Sequence, residues 1–106
     1  MDILQLSYYL DNLLDIERIK DSPNSMNGLQ LQNTGEIKKI GLAVDLCTAT
    51  IEKAISVECN MVLVHHGMFW GGLKPIRGNF YDKISIMIRK NLGLYSAHLP
   101  LDMHPV

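Results

Sequence analysis

The sequence predicts an α/β fold in βαβαβ order, with a mostly parallel sheet flanked by helices, and three observations carry that expectation. Apolar runs of strand length alternate with stretches of helical periodicity from Ile37 onward. The intervening helices are long enough to serve as the crossovers that parallel strands require. Polar groups able to do chemistry recur where those strands run out, which is the edge at which open α/β sheets gather their ligands.

Each element has a local cause. Asp2 can cap a first helix from Ile3 to about Leu14, with Leu6, Leu10, Leu13 and Leu14 forming its apolar face. Asp21 to Gly28 is dense in turn formers and leads to a short extended piece, Leu29 to Gln32, before a further turn at Asn33-Thr34-Gly35. Ile37 to Asp45 reads as a buried strand. Cys47 or Thr48 then starts a helix through Ile51, Ala54, Ile55 and Glu58. Met61 to His65 is the next strand. A glycine-rich loop, Gly67 to Gly78, precedes a helix from about Tyr81 to Asn91, for which Gly93 fits the C-terminal stop. Leu94 to His98 is the last strand.

Composition bounds the function. With 106 residues and 47% hydrophobic content the chain is expected to be one domain, or part of one. A net charge of −1 with both signs scattered gives no basic stripe for nucleic acid and no polybasic segment for a membrane surface. The longest apolar runs fall far short of the roughly 20 residues needed to span a bilayer, and the first residues lack a cationic leader. A cytoplasmic protein is the expectation. Cys47 and Cys59 have no CxxC spacing and are expected to be reduced, half-buried small hydrophobes. Ser56 and Ser85 lack a nucleophile-elbow context and read as helix surface.

The chemistry concentrates at His65-His66, an adjacent imidazole pair where an apolar strand meets Gly67. Side chains alternate along a strand, so both rings serve one site only if the backbone turns at or just after them, and Gly67 permits that turn through positive φ. Ser96 to Asp102 supplies a further imidazole, His98, and a carboxylate, Asp102. His65, His66 and Asp102 are thus candidate ligands for a divalent cation, although Asp102 in a Pro-containing turn can equally serve its own backbone. His98 reads as a ligand, as a partner that holds Asp102 or a bound water, or as a proton shuttle. Asp45 is expected to cap the following helix, with contact to the site as the functional alternative. Trp70 and Phe69 either wall a substrate pocket or belong to the core or a subunit interface. His104 is expected to have no site role.

Three spaced motifs carry a resemblance: Val64-His65-His66-Gly67-Met68-Phe69-Trp70 with Gly72, Pro75 and Arg77-Gly78 after it, His98-Leu99-Pro100-Leu101-Asp102-Met103-His104-Pro105, and Asn27-Gly28-Leu29-Gln30. Together they resemble the Nif-three-like family, whose bacterial members are labelled GTP cyclohydrolase type-two-like or dinuclear-metal-centre proteins. The similarity runs from the first helix to the last residue. It implies an N-terminal portion of that α/β fold, a homo-oligomer built as a hexameric toroid, and two divalent metal ions per subunit facing the ring interior. The resemblance places His65, His66 and Asp102 among the metal ligands, with His98 close by. It also implies a further His and Glu four residues apart near the C-terminus of a chain more than twice as long. No such pair follows here before Val106, and a fragment or truncated reading frame is expected in preference to a shortened relative.

Imidazole and carboxylate ligands suit zinc, iron, manganese, cobalt or nickel, and the lack of thiolate in the set argues against a closed structural zinc site. The leading expectation is a metal-dependent hydrolase of a small nucleotide-like substrate, with Asp102 bridging metals and His98 as the catalytic acid or base. The substrate class rests on the family's labels. The competing expectations are a non-catalytic metal-binding or metal-delivery protein and a ring-shaped scaffold. Nucleic acid and membrane are not expected as partners, and exposed apolar surface is expected where further chain would dock.

Overall fold

A computed structural model describes residues 1–70 and 72–104. Gly71, in the glycine-rich loop, and Pro105 and Val106, at the end of the last motif, lie outside the described residues. The elements run α1 (Ile3–Leu13), a 3-10 turn (Pro23–Ser25), β1 (Gly28–Leu31), β2 (Ile40–Asp45), α2 (Thr48–Ser56), β3 (Met61–His66), α3 (Asn79–Arg89), β4 (Gly93–Ser96) and α4 (Leu99–Asp102). The sheet order is β1-β4-β3-β2, with β2, β3 and β4 parallel and β1 antiparallel to β4. The βαβαβ expectation therefore describes β2 to β4, and the short extended piece upstream adds an antiparallel edge.

Strand alternation divides the core in two. Val62, Val64 and Leu94 face α2 and α3 and pack with Ile51, Ala54, Phe80 and Met87. Met61, Tyr95 and Ala97 face the other way, onto Ile3 and Leu14 at the two ends of α1. Asp2 caps α1 as expected, in a reciprocal box: its carboxylate accepts the Gln5 N–H at 2.9 Å, and the Gln5 side chain accepts the Asp2 N–H at 3.0 Å. The buried stripe is Ile3, Ser7 and Leu14, flanked by half-buried Leu6 and Leu10. Leu13 is exposed, because at 3.6 residues per turn it falls at the margin of that stripe.

Three expectations are corrected. β2 starts at Ile40 and is not buried: it is the sheet's edge, and Leu42 is 78% exposed, with Ile40 and Val44 exposed beside it on the same face. Pairing explains why, since Leu42 is in register with Leu63 on the face that α1 covers, and α1 does not reach out to β2. The stop of α3 is Asn91, at φ 54°, and not Gly93. Gly93 opens β4, where a side chain would meet Ile3 and Asn33. The last strand ends at Ser96, and the chain passes through His98 into the single turn α4.

Asparagines close the sheet end remote from the histidines. The Asn33 side-chain amide donates to the carbonyls of Asn60 (2.6 Å) and Asn91 (2.9 Å), and the Asn60 side chain accepts the N–H groups of Lys38 and Lys39. Among the described residues no helix is long and apolar enough to cross a membrane.

Candidate metal centre

The parallel register brings the histidines to one edge. Asp45 pairs with His66 across β2 and β3, and Val64 pairs with Ser96 across β3 and β4, so the segments after each strand emerge side by side. His65 and His66 leave β3 on opposite faces, as alternation requires, yet their ring centroids are 4.6 Å apart at 66°. His98 completes the group, with its ring centred 4.5 Å from that of His65 and 5.2 Å from that of His66. Ligand atoms of His65, His66 and His98 all lie within 4.8 Å of one another.

Each imidazole is tied to a carboxylate by one nitrogen. His65 Nε2 lies 3.0 Å from both oxygens of Asp102, His66 Nδ1 lies 2.7 Å from Asp45 Oδ1, and His98 Nδ1 lies 3.1 and 3.2 Å from the oxygens of Asp21. An ionised carboxylate only accepts, so the ring nitrogen facing it carries the proton and the other nitrogen of a neutral ring is left with its lone pair. Those remaining nitrogens, His65 Nδ1, His66 Nε2 and His98 Nε2, have no hydrogen bond among the described residues.

Asp45 is thus not the helix cap. Cys47 occupies the cap position of α2 without a side-chain bond, while the Asp45 carboxylate goes to His66 and its carbonyl accepts the Thr50 hydroxyl at 3.0 Å. The reason is register: opposite His66 in the ladder, the Asp45 side chain shares that ring's face of the sheet. Asp102 is half-exposed and stands outside the three-imidazole group, in contact with it through His65.

Asp21 was not singled out by sequence, and it is the most deeply set of these carboxylates, with its side chain 5% exposed. It accepts from Ser22 N–H (2.7 Å), Leu99 N–H (2.8 Å) and the Asn27 side-chain amide (3.1 Å) as well as from His98. Burial alone would raise its pKa, but the bonds from Asn27, Leu99, His98 and Ser22 outweigh burial and hold the carboxyl well below the usual carboxylate range. Asn27 adds a second tie, its side-chain oxygen accepting the His98 N–H at 2.8 Å.

Gly67 is needed for a reason other than the expected one. It does not use positive φ; instead a side chain there would collide with the Gln30 carboxamide. Gln30 accepts the Met68 N–H at 2.9 Å and donates to the carbonyls of Ser25 (3.2 Å) and Met26 (3.0 Å), stitching the loop after β3 to the turn before β1. Asn27 and Gln30 both belong to a motif noticed in the sequence, but their partners are distant along the chain and gave no signal. Trp70 stacks on His66 (5.2 Å, 26°) and sits 4.6 Å from His98, so it walls the imidazole group, whereas Phe69 turns to Phe80 in the core. His104 lies outside the group.

The donor set fits a divalent ion. Two ligands on one ion at about 2.1 Å each stand roughly 3 to 4 Å apart. The observed spacing within 4.8 Å therefore needs only a small closing movement. A carboxylate hydrogen-bonded to one ring nitrogen is the usual means of orienting a metal-ligating histidine.

Comparison with known proteins agrees with this architecture. The family model described as Duf34/NIF3 (NGG1p interacting factor 3) matches residues 1–106. A GTP cyclohydrolase 1 type 2 homolog from Archaeoglobus fulgidus is 41% identical over 104 residues, which is 98% of this chain and 42% of that protein. A homolog of the same description from Chlamydia muridarum is 43% identical over 107 residues, covering 99% of this chain and 42% of that one. The crystal structure of TTHA1606 from Thermus thermophilus superposes with a TM-score of 0.91 at 39% identity, over 98% of this chain and 43% of that one. The chain thus spans about two fifths of the length of the relatives it matches.

Proposed function

The chain belongs to the Duf34/NIF3 family, and on that premise we propose that residues 1–106 are a single α/β domain carrying part of a divalent-metal centre for a GTP cyclohydrolase type-two-like hydrolase of a small nucleotide-like substrate. The observation that carries this reading is the convergence of three imidazoles at the ends of parallel strands, each oriented by a carboxylate. We assign His65, His66 and Asp102 to hold the ion, with Asp102 exchanging its bond to His65 Nε2 for the ion when it binds. When bound, such an ion supplies Lewis-acid polarisation of a substrate oxygen and acidifies water.

The remaining work falls to the chain itself. His98 can take up a proton at Nε2, the nitrogen its carboxylate partner leaves bare, and return it. Trp70 offers an aromatic face beside the imidazoles on which a planar base can stack, and it screens that side from solvent. The exposed face of β2 supports assembly with further chain or with other subunits, hexameric in the family pattern. The competing reading, a metal-delivery protein, is favoured by the 20–32% exposure of the three imidazole side chains, which leaves an ion open to exchange.

Metal content per chain, measured by mass spectrometry on freshly purified protein and on the His65→Ala, His66→Ala double variant, tests the centre. Metal present in the first and lost in the second is expected; absence from both overturns the reading for this chain. Replacing His98 with Gln should leave metal nearly intact and lower turnover. Rapid exchange of the bound ion with a chelator would favour delivery over hydrolysis.

A further inference from the structure

We propose that Asp21 is the positioning residue of the site: its carboxylate locks His98 as the Nδ1–H tautomer, keeping Nε2 bare, and the same carboxylate caps the turn that carries Asp102. The proposal rests on the imidazole group being the functional site and adds a residue that neither the sequence motifs nor the metal ligands include.

The geometry is specific. Helix α4 is a single turn with no side-chain cap of its own, and its first N–H, on Leu99, is satisfied by Asp21 Oδ2 at 2.8 Å from 78 positions upstream. The opposite oxygen takes the Ser22 N–H, and His98 Nδ1 lies within reach of both oxygens, at 3.1 and 3.2 Å. Every group around this carboxylate, the Asn27 amide included, is a donor. A buried acceptor surrounded only by donors leaves the imidazole one choice, to present its own N–H. Asp21 thus joins the turn before β1 to the segment after β4, and two functional groups from that segment, His98 and Asp102, take their placement from it. This charge-assisted bond is of the kind worth enough to bias the tautomer by about tenfold or more.

The test is long-range proton–nitrogen NMR on the nitrogen-15-labelled, metal-free chain at an alkaline pH above which the imidazole nitrogen shifts no longer change. His98 is expected as Nδ1–H in about tenfold or greater excess; a proton residing on Nε2 would overturn the proposal without any variant being made. In Asp21→Asn one of the two acceptor oxygens beside His98 Nδ1 is replaced by an NH2 donor and the negative charge is lost, so the preference for a proton on Nδ1 weakens. The His98 tautomer balance is then expected to shift toward Nε2–H while His65 and His66 keep their forms. A carboxylate that only capped α4 would leave the tautomer unmoved in the folded variant, and that result also overturns the proposal. Because the tautomer is read without metal, failure of the metal-content experiment is separable from failure here.

Discussion

A methyl group at position 67 would meet the Gln30 carboxamide, which three hydrogen bonds hold in place. Gly67→Ala is therefore expected to destabilise the chain by about 1–3 kcal/mol, the range for forcing an atom into filled space; an unchanged urea midpoint would show that Gln30 yields freely. The two thiols differ as sharply. Cys59 is buried between β2 and α2, as a small hydrophobe would be, but Cys47 is exposed at the start of α2, contrary to the half-buried expectation. The Thr50 hydroxyl first, then the Thr50 and Ala49 N–H groups and the Lys83 charge, lower the Cys47 pKa, since each favours the thiolate. Iodoacetamide should modify Cys47 first, with the rate rising through a midpoint below that of an ordinary thiol, and reach Cys59 only on unfolding. Equal rates under native conditions would refute this.

Among the elements, α1 and β2 show how local pattern and tertiary placement divide the work. The Asp2–Gln5 box is a local device, and Asp2→Ala should cost about 1 kcal/mol in chemical denaturation. β2 is apolar by sequence and exposed by position, a combination that invites association along a sheet edge. Leu42→Lys is expected to reduce self-association in sedimentation experiments while changing the unfolding free energy by no more than about 0.5 kcal/mol. Loss of stability without a change in association would mean that the Leu42 side chain supports the fold itself. Helix and strand existence was legible because periodicity is local; the ends were less so. Asn91 displaced Gly93 as the stop of α3 because the backbone of β4 needs a residue without a side chain where Ile3 and Asn33 press on it.

At the scale of the whole molecule, two buried polar ties bracket the pH range of stability. Asp21 has a folded pKa below its ordinary value of 3.8, so the stability it contributes is present above that value and is lost as pH falls through the folded one. Tyr95, fully buried with its hydroxyl donating to Asp11 at 2.7 Å, is shifted the other way from 10.0, by burial first and then by the Asp11 carboxylate. Its contribution is complete below pH 10.0 and is lost as pH rises toward the folded value. Unfolding free energy should therefore fall at both pH extremes, with the alkaline limb flattened in Tyr95→Phe; a limb of unchanged steepness in that variant would assign alkaline unfolding elsewhere.

The sequence by itself determined the alternation of strands and helices, the Asp2 cap and the arrival of His65, His66, His98 and Asp102 at one sheet edge. These follow from periodicity and from the rule that parallel strands share a carboxyl end. Tertiary structure alone decided which carboxylate serves which ring. Asp45 left its expected cap for His66, Asp21 reached His98 across 77 positions, Trp70 turned to the imidazoles, and Gly67 proved necessary for Gln30's approach. Such pairings depend on strand register and loop packing over long separations, where no local spacing constrains which donor meets which acceptor.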